Sequence, residues 1–580
     1  MYKKCYAEKL KYNQHLIHLW DDEGYKKIEW KNEAYQECSE SEAQYVGLNG
    51  ENLKKVSNWR YTSNPQYSDK NTPGLHFHDI KAYQKFLIET YGVDDTPSKS
   101  HREIFFDIEI EIGGALTEEY IERAPMPVTS IAWYYKQKDK WGILILDKKD
   151  QLKHTKTGEK KNKEIIPVSS EEDLLKSFIK MIRDVDPDIL IGYNSDYFDI
   201  PYLYYRILNT LGPQWANMLS PIGKVKCKKN NDYWFKGDQY VEIVGIESLD
   251  YIRLHKKYSW KDEPSYKLDA IGEKYVGVGK VEYDGNLDRL FETDIHKFIE
   301  YNFVDVKILK LLDEKLQYIA LTKNLSHKGK HNYSEVYSNS VTQDGAISAY
   351  LLSQNIIPPP RDRNPITKKN YAGGYLFCPK AGLYKYMFDE DLTSLYPSII
   401  MSINIGKETL VGRIIDADDR NNRLGLNDLE KKDSSEMLLI ENKDRTKRTN
   451  IPVSQLLELI KKNNWTISAN GVFYRTDKEA VLSTILKKWF KERVIYKGKM
   501  KEAYKAGDTE KGEYYHLMQY TMKILLNSLY GATALKSFRY GNVILSESIT
   551  LSGQRIIQES ALVANRHMNG VMKGKYKLEI

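Results

Sequence analysis

Tyr384 to Met401 reads Tyr-Lys-Tyr-Met-Phe-Asp-Glu-Asp-Leu-Thr-Ser-Leu-Tyr-Pro-Ser-Ile-Ile-Met, and no other stretch of the chain constrains the fold as tightly. The aromatic run Tyr384–Phe388 predicts a buried strand. Pro397 suits the first turn of a helix, where its missing N–H costs nothing. Asp391 is therefore expected at a strand end, with Leu392–Tyr396 crossing towards a helix start. A carboxylate there can hold a divalent cation, and free N–H groups beside a helix N-terminus can receive phosphates. An acidic turn with an aromatic plug would satisfy the same string.

A chain of 580 residues is too long for one core, so several domains are expected. Charged residues make up 29% and hydrophobic ones 41%, a globular rather than disordered balance. Cys5, Cys38, Cys227 and Cys378 are too scattered for a disulfide framework or a zinc site, so a reducing, intracellular setting is expected. Runs such as Gly142–Leu146 are far shorter than a membrane span, and the N-terminus has no apolar signal core.

Further upstream, Arg102–Glu111 alternates as a strand, which places Asp107 and Glu109 on one face, with Glu111 beyond them. Two such carboxylates repel unless a cation lies between them, so the pair is solvent-facing or metal-binding. Asp188–Gly192 is a short apolar strand leading through a polar turn with Asn194 to a helix that starts near Asp199. Asp294–Leu316 has helical spacing, and Tyr301 and Asp305 share a face at i,i+4. Lys148–Lys163 reads as a solvated lysine-rich loop. Lys226–Phe235 reads as a hairpin whose Tyr233, Trp234 and Phe235 would suit base stacking or simply pack on their own domain.

After Pro358-Pro359-Pro360, a stiff connector, comes Tyr371-Ala-Gly-Gly374. A long helix is expected around Ser483–Lys497, with Arg493 and Lys497 on one face. A second, Glu513–Leu529, leads to Tyr530, with Lys523, Asn527 and Tyr530 at spacings of four and three. A turn at Ala506-Gly507-Asp508 would make the two antiparallel and aim their cations at one point.

Asp391-Leu-Thr-Ser-Leu-Tyr396-Pro-Ser-Ile-Ile resembles the first palm motif of family B DNA polymerases, in the wording of the T-even bacteriophage type. Lys523-Ile-Leu-Leu-Asn527-Ser-Leu-Tyr530-Gly531 is similar to the fingers motif of that family, and Phe490–Arg493 with Lys497 to its partner helix. Gly245–Gly285 resembles the T-even-type exonuclease domain, and Tyr371–Gly374 the element between the exonuclease and polymerase halves. The resemblance implies a mixed α/β, multidomain fold: an N-terminal domain (1–101 and 318–362), an α/β 3′-5′ exonuclease domain (102–317), an incomplete antiparallel palm (363–479 and 536–580) and helical fingers (480–535).

It also implies two chemistries. In exonucleolytic hydrolysis Asp107, Glu109, Asp199 and Asp305 would hold two metal ions, Tyr301 would orient the attacking water and Asn194 would place the substrate strand. In nucleotidyl transfer Asp391 and the Leu392 carbonyl would bind Mg²⁺, with Mn²⁺ as a substitute. Ser394, Leu395 and Tyr396 would receive the triphosphate, and the Tyr396 ring would exclude ribonucleotides. Arg493, Lys497, Lys523 and Asn527 would grip the phosphates, while Tyr530 and Gly531 line the nascent base pair.

The expected second palm acid, on an Asp-Thr-Asp hairpin, does not occur in the sequence. Asp416-Ala-Asp418 reads as a loop, and Asp389, which shares the expected strand face with Asp391, is the candidate substitute ligand. The expectation is therefore the N-terminal part of a replicative polymerase, as a natural split subunit or a fragment. A second chain would supply the missing palm hairpin and thumb, and with them the contact to a sliding clamp. Its partners would be primer-template and single-stranded DNA and deoxynucleoside triphosphates, with no membrane, in the cytoplasm of an infected bacterial host. Alternatives are a stand-alone 3′-5′ exonuclease whose palm and fingers serve as a DNA-binding platform, and a non-enzymatic assembly subunit.

Overall fold

The computed structural model describes all residues except 57–73, 112, 115–116, 153–161, 228–240, 260, 363–372, 378–380, 384–390, 416–423 and 572–580. The expected strand at Tyr384–Phe388, together with Asp389, Asp416–Asp418 and Tyr233–Phe235, lies outside the described residues. The chain forms two compact units, Met1–Asn32 with Lys81–Ser338, and Glu33–Ile80 with Asn339–Ile580. Both mix helices and sheets, and residues expected in an N-terminal domain contribute to each.

The first unit is built on a six-stranded mixed sheet. Its strands are β1 (Glu103–Ile110), β2 (Val128–Tyr135), β3 (Lys140–Leu146), β4 (Lys163–Val168), β5 (Ile189–Gly192) and β6 (Glu247–Asp250), in spatial order β4-β3-β2-β1-β5-β6. β1–β2 and β2–β3 are antiparallel, whereas β3–β4, β1–β5 and β5–β6 are parallel. Alternation along β1 decides what each face does. Ile104, Phe106 and Ile108 enter a core with Leu174, Phe178 and Ile182 of helix α1 (Glu171–Val185) and with Leu203 and Ile207 of helix α2 (Asp199–Leu211). Asp107 and Glu109 are left for the other face, where helix α3 (Ile295–Leu316) packs across β1 and β2. Helix α1 opens with Ser170 accepting the Asp173 N–H and has Glu171, Glu172 and Asp173 in its first turn, as the dipole favours. Helix α3 is capped by Asp294, which accepts the Lys297 N–H at 3.0 Å. Elsewhere in this unit Val225–Cys227 pairs antiparallel with Val241–Ile243, a returning strand further along than the hairpin expected at Lys226–Phe235, most of which lies outside the described residues.

The second unit contains a five-stranded antiparallel sheet of β7 (Leu410–Ile414), β8 (Met437–Asn442), β9 (Arg448–Pro452), β10 (Thr466–Ile467) and β11 (Val472–Tyr474), ordered β9-β8-β7-β11-β10. Helix α4 (Leu395–Ile403) carries Pro397 in its first turn. It packs against α6 (Val481–Lys505), α7 (Thr509–Thr533) and α8 (Val543–Val571). Helix α5 (Val453–Asn463) covers the β7–β9 side of the sheet through Val453, Leu456 and Ile460. The pairing of α6 with α7 turns at Gly507, whose φ of +76° favours glycine, and Asp508 caps α7 by accepting the Lys511 N–H at 3.1 Å. Both helices run longer than the sequence pattern indicated, because each extends beyond its apolar stripe. Arg539 is fully buried in this unit, with Nε 2.9 Å from Asp344 Oδ1 and Nη1 2.6 Å from Asp79 Oδ1.

Candidate active sites

The acids read from the sequence meet on the α3 side of the first sheet. Carboxylate oxygens of Asp107, Glu109 and Asp305 lie within 4.8 Å of one another. Asp199, the first residue of α2, is 2% exposed and accepts the Ile108 N–H at 3.2 Å, which ties it to the strand between Asp107 and Glu109. Burial raises the pKa of Asp107, and the charges of Asp199, Asp305 and Glu109 raise it further. Burial and Asp305 push Glu109 up to about 8, and burial pushes Asp199 up to about 7. Four carboxylates in one recess cannot all ionise without a cation among them.

The cation already present is one the sequence reading missed. Lys280 Nζ lies 2.6 Å from Asp305 Oδ2 and 2.8 Å from the Tyr301 hydroxyl. Burial works against its charge, but Asp305 and Tyr301 more than offset that, and its pKa is raised. Its backbone is held by Asp269 Oδ1, which accepts the Lys280 N–H at 2.6 Å. Lys280 follows Gly277-Val-Gly279 in irregular chain, where no periodicity marks a side chain. It is one of six lysines in the stretch Gly245–Gly285 that resembles the exonuclease domain, and no pattern singles it out. Tyr301 is raised by burial first, and so keeps its proton while its oxygen accepts from Lys280.

Asn194 has a left-handed backbone, φ +66°, at the turn between β5 and α2. Asp250 fixes that turn by accepting the Asn194 N–H at 2.9 Å and the Asp196 N–H at 3.4 Å. Arg253 Nη1 is 2.6 Å from Asp196 Oδ2, and its guanidinium stacks 3.9 Å over the Tyr337 ring. Asp250 and Arg253 thus position Asn194, and neither stood out in the sequence.

An all-oxygen set of this kind suits a hard divalent ion. Asp305 supplies a specific observation in favour of such an ion: its Oδ1 is buried with no hydrogen-bond partner. Asp107, Glu109, Asp199 and Asp305 therefore fit a metal.

In the second unit Asp391 is exposed and Leu392 is 39% exposed, directly before α4. Ser394 caps this helix with φ +55° and its carbonyl accepts the Ser398 N–H at 2.9 Å. The Leu395 and Tyr396 N–H groups fall in the first turn, where a helix has no partner of its own to give. The Tyr396 ring centroid lies 4.4 Å from that of Tyr530 on α7, which joins the Asp391 segment to the helical pair. A Cβ on Gly553 of α8 would meet the Tyr396 ring at 2.9 Å, so the ring is confined from that side as well. Arg493 is half-buried on α6 with its Nε unpartnered, and burial lowers its pKa. Lys497 and Asn527 are exposed, Lys523 is half-buried with Nζ 5.9 Å from the Tyr520 ring, and Gly531 has open space at its Cα.

The first unit thus gathers an acidic cluster on a mixed sheet, and the second sets a cationic helical hairpin beside an exposed aspartate at a helix start. The chain belongs to the family B DNA polymerases. The family model described as DNA polymerase family B matches residues 337–579, and that of the family's exonuclease domain matches residues 79–271. Among curated relatives it is 28% identical to the DNA-directed DNA polymerase of Escherichia phage RB69 and 25% identical to that of Enterobacteria phage T4, in each case over 94% of this chain and 64% of the relative. It is 27% identical to a DNA polymerase of Pyrococcus glycovorans over 57% of this chain and 40% of that protein. The chain thus spans 64% of the length of the two phage relatives. No helix among the described residues is long and apolar enough to cross a membrane.

Proposed function

We propose that this chain hydrolyses DNA from the 3′ end at the Asp107 cluster, and that its Asp391 segment and helical pair form the nucleotide-binding part of a DNA-directed DNA polymerase centre. The observation that carries the reading is the gathering of Asp107, Glu109 and Asp305 within 4.8 Å around Lys280. Asp107, Glu109, Asp199 and Asp305 would hold Mg²⁺, with Mn²⁺ able to replace it, in a two-metal arrangement. A bound divalent ion would supply a water of lowered pKa and offset charge on the reacting phosphate.

The protein groups have separate tasks. The Tyr301 hydroxyl, protonated at neutral pH, would donate to the attacking water or to a phosphate oxygen and so fix the line of attack. Lys280 would turn its ammonium from Asp305 to the phosphate as negative charge builds there. Asn194, on a turn held by Asp250, would set the strand so that the terminal phosphodiester reaches the acids. The water oxygen forms a bond to phosphorus, the bond from phosphorus to the 3′-oxygen breaks, and that oxygen takes a proton. A nucleoside monophosphate and a shortened strand leave.

For nucleotidyl transfer, Asp391 and the Leu392 carbonyl would bind metal, while Ser394 and the free N–H groups of Leu395 and Tyr396 receive the triphosphate. The Tyr396 ring, backed by Tyr530, would stand against the sugar and exclude a 2′-hydroxyl. Arg493, Lys497, Lys523 and Asn527 would hold the phosphates, with Tyr530 and Gly531 against the base pair. This reading needs a second palm carboxylate, which a longer form of this chain or a companion chain would bring, along with the thumb and the contact to a sliding clamp. Primer-template DNA, single-stranded DNA and deoxynucleoside triphosphates are the partners. The phage origin of the two relatives supports action in the cytoplasm of an infected bacterium.

The decisive experiment is digestion of a 3′-labelled single strand with Mg²⁺ or Mn²⁺. Asp107→Ala combined with Glu109→Ala should abolish release of monophosphates. Full activity in a rigorously purified double variant would overturn the assignment.

A further inference from the structure

The β8–β9 hairpin of the second unit carries the densest positive charge among the described residues of its sheet. Lys443, Arg445, Lys447 and Arg448 fall within six residues, opposed there by Asp444 alone, in a chain whose whole net charge is +7. All five are exposed. Glu441, buried at the end of β8, accepts from Arg413 at 2.9 Å and Arg448 at 3.0 Å, so it neutralises the strand arginines and not the turn. Among the described residues, no carboxylate lies in ion-pair contact with Lys443, Arg445 or Lys447.

The turn that bears these three cations is rigidly made. The Asn442 N–H donates to the Lys447 carbonyl at 3.1 Å, Asn442 Oδ1 accepts the Lys447 N–H at 3.0 Å, and Asn442 Nδ2 reaches Thr446 Oγ1 at 3.0 Å. Arg445 adopts φ +57° and donates its N–H to the Asn442 carbonyl. The Lys443 N–H donates to the Val411 carbonyl at 3.0 Å, which ties the turn to β7. Below it Leu438, Val453, Leu456 and Ile460 root the hairpin in a closed core with Ile414 and Phe473. Charge placed on an edge strand to prevent sheet-to-sheet pairing would be distributed along β9. Instead Thr449 and Asn450 are uncharged, and the cations crowd the tip.

We infer that the Lys443–Arg448 turn is a contact for the phosphodiester backbone of duplex DNA, outside both candidate active sites. A two-stranded ribbon is one of the shapes that a major groove about 12 Å wide admits, and cations at its tip would meet the phosphates that border the groove. Each phosphate neutralised releases counterions, so the contact has a measurable salt signature. The inference rests on the DNA-polymerase reading above.

The test compares the full chain with a triple variant, Lys443→Ala, Arg445→Ala, Lys447→Ala, which keeps Asn442 and therefore the turn. Affinity for a blunt 30-base-pair duplex and for a 30-nucleotide single strand is followed by fluorescence anisotropy between 50 and 300 mM salt. A charge-matched control removes three exposed lysines of the first unit, Lys11→Ala, Lys27→Ala and Lys31→Ala. The turn variant should lose roughly 10- to 100-fold in duplex affinity near 0.1 M salt, and the slope of log affinity against log salt should fall by about two to three. The control should lose far less. An unchanged slope, an equal loss in the control, or a loss confined to the single strand would each overturn the inference. Mononucleotide release by the same preparations separates the two readings. Activity that depends on Asp107 and Glu109 but comes with an unchanged duplex slope sinks only the turn contact, whereas activity indifferent to those acids sinks the functional assignment itself.

Discussion

Replacing Lys280 by methionine should cost stability in a way that depends on pH and is reversed by metal. The substitution keeps most of the aliphatic stem and removes the ammonium that faces Asp305 and Tyr301 at 2.6 and 2.8 Å. Breaking a buried ion pair from one side costs about 3–5 kcal/mol while the remaining carboxylate stays charged. Because the Lys280 side chain is 33% exposed, the lower end of that range applies. The carboxylates, however, have an escape. Burial raises Asp107, holds Glu109 at about 8 and holds Asp199 at about 7, so the folded state binds protons that the unfolded chain has released above pH 5. The sign follows: this contribution to stability is complete below about pH 4 and is lost as pH rises through 7 and 8. Each extra proton held costs about 1.4 kcal/mol per pH unit over that window. Lys280 lowers all four acids, so its loss moves their pKa values upward and extends the decline to higher pH. In EDTA the gap between wild type and Lys280→Met should therefore be about 1 kcal/mol at pH 6 and about 3 kcal/mol at pH 8.5. Hydrogen exchange of peptides covering 103–110 and 295–316, corrected for intrinsic rates, reads this locally and does not require the two units to unfold together. Mn²⁺ at pH 8.5 should close most of the gap. A gap equal at both pH values, or one that metal leaves unchanged, would refute Lys280 as the internal counter-ion of the cluster.

Two other substitutions probe the second unit. In the completed polymerase, Lys523→Ala should slow nucleotide incorporation with little change in primer-template affinity, by on the order of 2–4 kcal/mol in the transfer step. Rapid-quench kinetics beside a DNA-binding titration would show the opposite split if Lys523 served the duplex. Arg539→Met removes the cation that Asp79 and Asp344 share but leaves Arg361 at 3.0 Å from Asp344 Oδ2, and should lower the stability of the second unit by about 3 kcal/mol, measured by urea-dependent hydrogen exchange of α8. Unchanged protection there would mean that the two acids find other partners.

The parts of the site that were legible in the sequence are those that a local repeat specifies. Period two on β1 sets Asp107 and Glu109 against Ile104, Phe106 and Ile108, and the α3 period sets Tyr301 above Asp305; the structure keeps both arrangements. The run around Ser483–Lys497 likewise becomes α6, and Pro397 opens α4. What stayed hidden has no period. Lys280 lies in irregular chain between the helices Leu268–Val276 and Leu287–Thr293, and its meaning arises only when α3 brings Asp305 beneath it. Asp250 and Arg253 act through an Asn194 turn more than fifty residues earlier, and the β8–β9 hairpin joins an apolar strand to a polar one, so no shared pattern marks the pair. The hidden residues nevertheless answer a question that the legible ones raise. A strand that points two acids at two more should repel itself apart, and a reading confined to carboxylates must import metal to hold the fold together. Lys280 supplies that charge from within, so the apo cluster can persist, and the same ammonium must yield Asp305 when a divalent ion enters. Metal affinity and the mobility of one lysine are therefore a single equilibrium, which is why the stability of β1 and the activity of the site should titrate together.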